Sequence, residues 1–264
     1  MLQGAFHIHS TYSDGELTLG ELREVLLAGG CRFACVTDHA DSLDADRLRT
    51  YRLECEERSD ADFRFIPGLE YSCLNRMHIL GYGVTSLIDS VDPEHVIAGI
   101  RRNGGLAVVA HPRNDAFDSI ERFDPLPDGI EVWNSKYDGQ YAPRPRTFAL
   151  LARLQARQPD VRAYYGLDLH WRNQYRGLFM EVACETPDRD SVLAALRRGA
   201  YAGLKAGLRL PSTGALPSGT LERFESVHAR SRRMRRWIGR AKSWIDRSGI
   251  ALPKTIKAQL RRVF

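Results

Sequence analysis

Six of the eight histidines in this 264-residue chain stand with acidic residues at the ends of short apolar runs, all between Phe6 and His170. The clusters are His7-Ile8-His9, Asp38-His39, Glu70, His78, His111 and Asp168-Leu169-His170. In a strand from Ala5 to His9, side chains two apart share a face, so both imidazoles of His-x-His aim at one point. Asp168-x-His170 repeats the spacing after the apolar run Ala163-Tyr-Tyr-Gly-Leu. Unrelated buried polar groups would each need a partner of their own. Six imidazoles with carboxylates, all at the exits of apolar runs, instead describe one multinuclear metal site.

The runs themselves alternate with helical patterns. Strands are expected over Ala5–His9, Phe33–Thr37, Phe63–Ile66, His78–Tyr82, Ala107–Ala110, Ile130–Trp133, Ala163–Leu167 and Leu178–Val182. Helices are expected over Thr18–Ala28, Asp44–Arg58, Pro93–Asn103, Arg144–Gln155 and Arg189–Arg198. Repeated strand–helix alternation implies an α/β protein built on a parallel sheet. Closure into a barrel is favoured because the candidate ligands come from nearly every strand end, whereas an open doubly wound sheet gathers them at one switch point. The turn-rich stretch from Gly207 to Thr220 reads as a linker, giving a barrel over residues 1–206 and an extension over 207–264.

No run approaches the roughly 18 apolar residues of a membrane span, and the first cluster follows Met1 too closely for a cleaved signal peptide. Five cysteines (31, 35, 55, 73 and 184) form no C-x-x-C pair; buried free thiols in a reducing cytoplasm are expected. Charge is uneven. Residues 223–264 hold thirteen Lys and Arg against Glu225 and Asp246, and because the whole chain is +5, residues 1–222 are mildly acidic.

Phe6-His-Ile-His-Ser-Thr-Tyr-Ser-Asp-Gly, Val36-Thr-Asp-His, Pro67-Gly-Leu-Glu, Met77-His-Ile-Leu-Gly-Tyr, Ala110-His-Pro and Gly166-Leu-Asp-Leu-His together resemble the PHP (polymerase and histidinol phosphatase) family over roughly residues 4–205. The resemblance implies a distorted (β/α)7 barrel with up to three metals. Position by position, it makes His7, His9, Glu70 and Asp168 ligands of one metal. Glu70 then bridges to a second held by His78 and His111, and Asp14, His39 and His170 hold a third. Asp14 stands where some members have histidine, and a carboxylate there favours a harder cation. The resemblance also implies a metal-dependent phosphoesterase.

The chemistry of the residues agrees. Imidazoles mixed with carboxylates suit Mn, Fe or Zn better than Ca or Mg, and the lack of thiolate ligands argues against a structural zinc centre. A bridging carboxylate such as Glu70 holds two cations roughly 3.5 to 4 Å apart, a spacing that activates water and clamps phosphate oxygens. Metal-bound hydroxide is then the expected nucleophile, on a monoester or a diester. Ser10, Ser13 and Ser72 are read as loop residues, and Pro67-Gly68 as a turn setting the entry of Glu70. Asp38 either orients a neighbouring ligand or serves as general acid. Arg113, Asn134, Lys136 and Arg172 are the candidate contacts to a phosphorylated small molecule, nucleotide or oligonucleotide, with Tyr137, Arg144, Trp171 and Tyr175 in the same loops. Two other readings stand beside this one: hydrolysis or transfer at a non-phosphate or carbohydrate bond, and a non-catalytic scaffold.

Toward the C terminus, Leu221, Phe224, Val227, Met234, Trp237, Ile238, Ala241, Trp244 and Ile245 follow a helical spacing, and Arg230, Arg232, Arg233, Arg235, Arg236 and Arg240 mostly fill the other side. A second short stripe is Ile256, Leu260 and Val263. Packing against the barrel or a second subunit, an anionic membrane surface and nucleic acid are the three partners such a tail allows.

Overall fold

A computed structural model describes residues 1–247 of the chain; in α7 the side chains of residue 235 and residues 241–247 are not described. Two compact units are present, residues 1–217 and a second starting at Ser218. The first contains β1 (Leu2–Phe6), α1 (Leu19–Ala28), β2 (Phe33–His39), α2 (Ala45–Glu57), β3 (Arg64–Cys73), β4 (Met77–Tyr82), α3 (Pro93–Arg102) and β5 (Leu106–Val109). It continues through α4 (Phe117–Glu121), β6 (Gly129–Asn134), α5 (Pro145–Arg157), β7 (Arg162–Gly166), β8 (Phe179–Val182), α6 (Arg189–Arg197), β9 (Tyr201–Lys205) and β10 (Leu208–Pro211).

Local chemistry places the helices. Thr18 and Glu21 form a reciprocal capping box at the start of α1. Asp92 accepts from the backbone N–H groups of Glu94 and His95, with Pro93 at the first helical position of α3. Val96, Ile97 and Ile100 then bury one face of that helix against the sheet.

The strands form one nearly closed sheet in the order β10-β9-β8-β1-β2-β3-β4-β5-β6-β7. The seven consecutive strands β1 to β7 are the staves of the barrel. They close where the segment after β7 meets the segment after β1: Leu167 N–H donates to Phe6 O at 2.9 Å, Leu169 N–H to His7 O at 3.2 Å, and His9 N–H to Leu169 O at 2.9 Å. At the opposite end β8, β9 and β10 hang antiparallel from β1, and Ala163 N–H reaches Ser212 O at 2.7 Å. Aromatic rings fill the interior. Phe6 meets Phe33 and Tyr82 edge-on at 5.7 and 5.4 Å, and Tyr82 stacks on Tyr164 at 5.8 Å.

Several details depart from the sequence reading. The sheet is mixed, because β4 runs antiparallel to both neighbours. Only Leu74–Arg76 separate β3 from β4, and so short a connection cannot carry the crossover that parallel pairing needs. Pro67-Gly68 is no turn but lies inside β3, where an added Cβ on Gly68 would sit 2.5 Å from Gly81 O. The stretch from Gly207 is not wholly linker: Leu208–Pro211 pair with β9, since four consecutive residues can form an edge hairpin in spite of flanking glycines. All five cysteines are free; Cys31, Cys35 and Cys55 are buried, whereas Cys73 and Cys184 are half-buried.

The second unit contributes α7 (Thr220–Arg247), a helix of 28 residues as the apolar spacing implied. Met234 and Trp237 on it are exposed, at 54% and 67%. The stripe Ile256, Leu260 and Val263 lies outside the described residues. Among the described residues no helix is long and apolar enough to cross a membrane.

Candidate metal centre

Strand ends at one mouth of the barrel deliver eight of the nine candidate ligands and the loop after β1 delivers Asp14, though not by regular strand geometry. β1 stops at Phe6, and His7 takes φ 58°, in the left-handed region. Asp168, just beyond β7, does the same at φ 52°, and His111 beyond β5 has φ 28°. Such backbone is costly for side chains with a Cβ and persists where surroundings over-determine it. The His7-x-His9 and Asp168-x-His170 pairs therefore converge through two matching kinks, locked by the parallel bridge between Ile8 and Leu169, rather than through the simple alternation expected. Leu169, between the second pair, is fully buried. His78 opens β4, and the reversed direction of that strand brings its amino end to the same mouth.

Glu70 is the hub. Its Oε2 lies 3.1 Å from His9 Nε2, 3.4 Å from His7 Nε2 and 3.5 Å from His39 Nδ1. Its Oε1 lies 2.8 Å from His78 Nδ1 and 3.4 Å from His111 Nε2. Asp168 Oδ1 is 3.8 Å from His7 Nε2 and His9 Nε2, and its Oδ2 is 3.8 Å from His111 Nε2. Asp14, more than half exposed, approaches His170 at 3.2 Å, His9 at 3.6 Å and His39 at 3.7 Å. Four sets come within coordinating reach of common points: His9, Asp14, His39 and His170; His7, His9 and Asp168; His7, Glu70 and His111; and His39, Glu70 and His78.

These residues fit divalent transition ions on an independent ground. His7 Nε2, both ring nitrogens of His9 and His39 Nδ1 are buried without a hydrogen-bond partner. Buried polar atoms left this way carry a penalty of about 1–3 kcal/mol each, which coordination removes. Burial alone would keep His7 neutral, yet the Glu131, Asp168 and Glu70 carboxylates outweigh it and hold the ring's pKa well above the ordinary value. Burial and the neighbouring His9 push His170 down to about 4. Burial would raise the Glu70 carboxyl, but the charge of His7 and the hydrogen bond from His78 hold it well below the usual range.

A surrounding layer aims the ligands. Glu131, fully buried on β6, accepts from His7 Nδ1 at 2.9 Å and from the His111 backbone N–H at 2.9 Å. The carboxylate thus turns His7 Nε2 toward Glu70 and Asp168. Glu131 is not among the candidate site residues singled out from the sequence; the signal available was an acid alternating with Ile130 and Val132 on an apolar strand. Asn134, read as a substrate contact, is buried and donates to Glu131 Oε2 at 3.0 Å and Asp168 Oδ2 at 3.1 Å, so it positions a ligand. Lys136 does reach the cage, with Nζ 3.2 Å from Asp168 Oδ1, and the Tyr137 ring lies 4.7 Å from that of His111.

Asp38 is fully buried beneath the cage and accepts from Ser10 N–H and Ser10 Oγ at 2.8 Å and from Ser13 Oγ at 2.6 Å. Those bonds tie down the loop that carries Asp14. The other two predicted rim contacts are each paired with an acid. Arg113 makes a two-pronged ion pair with Asp115, two residues on, at 3.0 and 2.7 Å. Arg172 lies 3.7 Å from Glu21 of α1. In both cases a nearby acid, whose proximity depends on loop conformation, captures the guanidinium.

No family model matches the chain. Over 141 residues, 42% of its length, the chain is 28% identical to the DNA polymerase/3'-5' exonuclease PolX of Bacillus subtilis (strain 168), and the match spans 23% of that protein. A two-domain protein from Bacteroides vulgatus ATCC 8482, containing a predicted PHP-like metal-dependent phosphoesterase, superposes with a TM-score of 0.57 at 17% identity over 79% of this chain and 66% of that one. PsfC from Pseudomonas syringae PB-5123 gives 0.52 at 15% identity over 78% and 92% of the two chains. An amidohydrolase from Chromobacterium violaceum, solved with bound sulfate and no metal, gives 0.50 at 17% over 75% and 96%. The chain thus has the fold of the PHP-like phosphoesterases, and the resemblance read from its motifs is a resemblance of architecture as well.

Proposed function

We propose that this chain is a metal-dependent hydrolase acting on a phosphate ester. The observation that carries the reading is the buried Glu70 carboxylate faced by five imidazoles, several with ring nitrogens that have no other partner. His7, His9, Glu70 and Asp168 would hold one Mn, Fe or Zn ion, Glu70, His78 and His111 a second, and Asp14, His39 and His170 a third. Ions so held lower the pKa of coordinated water and neutralise phosphate oxygens. The protein's part is positional. Glu131 fixes the His7 tautomer, Asn134 holds one oxygen of Asp168, and Asp38 steadies the Asp14 loop. Exclusion of water from the floor falls to the packed rings beneath, Phe6, Phe33 and Tyr82.

The Chromobacterium neighbour was solved with bound sulfate and no metal. That protein's description as an amidohydrolase supports a second reading, cleavage of an amide or related bond by the same cage. A panel of phosphomonoesters, phosphodiesters and amides, assayed with Mn²⁺, Zn²⁺ and Fe²⁺, separates the two. Turnover of phosphate esters that disappears in the His7→Ala, His9→Ala double variant is the expected outcome; turnover of amides alone would overturn the phosphate reading.

A further inference from the structure

Lys136 is not placed like a surface lysine. The turn after β6 that carries it is braced on every side: Ser135 N–H donates to Gly166 O at 3.0 Å, Ser135 Oγ to Leu167 O at 2.8 Å, and Lys136 N–H to Asn134 Oδ1 at 3.1 Å. Asp138, on the same turn, bonds back to Asn134 N–H at 2.9 Å and is clamped by Arg144. From this rigid base the ammonium group enters the cage. Nζ lies 3.2 Å from Asp168 Oδ1 and 3.3 and 3.2 Å from Nδ1 and Nε2 of His170.

Two of those atoms, Asp168 Oδ1 and His170 Nε2, are also ones that a metal would use. Asp168 Oδ1 faces His7 and His9, and His170 Nε2 faces Asp14 Oδ2 at 3.2 Å. An ammonium donates hydrogen bonds and accepts none, so it can take the carboxylate oxygen and the single ring lone pair of a neutral imidazole but cannot share them with a metal ion. Two cations in contact with the same oxygen also repel. From this geometry we infer that Lys136 is a tethered cation that competes with metal ions for Asp168 and His170, ligands of neighbouring ions, and so governs how tightly the ions on that side of the cage are held. The ammonium balances the carboxylates when those ions are absent and must swing away when they bind. This inference rests on the metal-centre reading above and adds a control element to it.

The test is equilibrium binding of Mn²⁺ to the full chain, stripped of metal, followed by the signal of free Mn²⁺ and paired with thermal melts. Lys136→Met keeps the length of the stem and removes the charge; Lys136→Gln is the second variant should the first fold poorly. Removing an opposite charge in contact with a carboxylate changes its cation affinity by about one to three powers of ten. Both variants are therefore expected to hold the weakest-bound Mn²⁺ at least about tenfold more tightly than wild type. They are also expected to melt lower without metal and to recover the wild-type melting temperature with it. A lysine of merely structural importance would weaken binding and lower both melts. Equal or weaker Mn²⁺ binding by both variants, with wild type binding normally, overturns the role of Lys136 and leaves the metal centre standing. Failure of wild type itself to bind Mn²⁺ overturns both.

Discussion

Glu131 contributes no candidate ligand atom to the cage, yet its two oxygens hold His7 Nδ1 and the His111 backbone at 2.9 Å each. Replacing it by glutamine substitutes an amide for one acceptor oxygen and lets the His7 tautomer change. Loss of such an outer partner typically weakens metal binding about 10- to 100-fold. Glu131→Gln is expected to show a loss of that size in a Mn²⁺ titration with an unchanged far-UV spectrum; undiminished binding would remove Glu131 from the centre. The imidazoles also set a pH dependence. Because the folded pKa of His7 is raised, its contribution to the metal-free fold is complete below about 6.5 and is lost as pH rises through the folded value. His170 is depressed to about 4; its contribution is present above about 6.5 and is lost as pH falls from there toward 4. Of these two groups' making, the melting temperature of the metal-free chain is expected to peak near pH 6.5, and the rise produced by Mn²⁺ to grow above it as metal displaces the His7 proton. A metal-induced rise that shrinks with increasing pH would contradict this assignment.

Elements bring these residues together through close backbone approaches. Gly166 ends β7 where an added Cβ would lie 3.0 Å from His7 Cβ and would overlap the Glu131 carboxylate outright. Gly166→Ala is expected to displace Glu131 and weaken Mn²⁺ binding without altering any ligand, read by the same titration. Asp92 tests an element far from the chemistry. Its carboxylate accepts from Glu94 and His95 N–H at 2.9 and 3.1 Å, so Asp92→Ala is expected to cost about 1 kcal/mol in a denaturant melt with metal binding untouched. Much of this scale was legible in the chain. Asp92-Pro93 announces α3, Thr18 with Glu21 announces α1, and the apolar runs mark most strands. What was hidden depends on partners distant in sequence. The direction of β4 follows from a connection too short to cross over, and the edge strand β10 is stabilised only by pairing with β9. The kinks at His7 and Asp168 exist because each chain segment bonds the other across the mouth.

At the scale of the whole barrel, nine side chains spread from His7 to His170 meet at one mouth around Glu70. That they would come together was legible because most stand at the ends of apolar runs. Their surroundings were not. Asn134 and Glu131 look alike in sequence as polar residues on β6, and only the fold shows both turned inward onto candidate ligands, while Arg113 and Arg172 pair with Asp115 and Glu21. Centring the carboxylate of Glu70 among five rings makes the claim of a polynuclear centre direct to test, by metal content per chain. After equilibration with excess Mn²⁺ and removal of free ion, wild type is expected to retain at least two ions per chain and Glu70→Ala to lose them. One ion or none on wild type, or an unaltered count in Glu70→Ala, would contradict it.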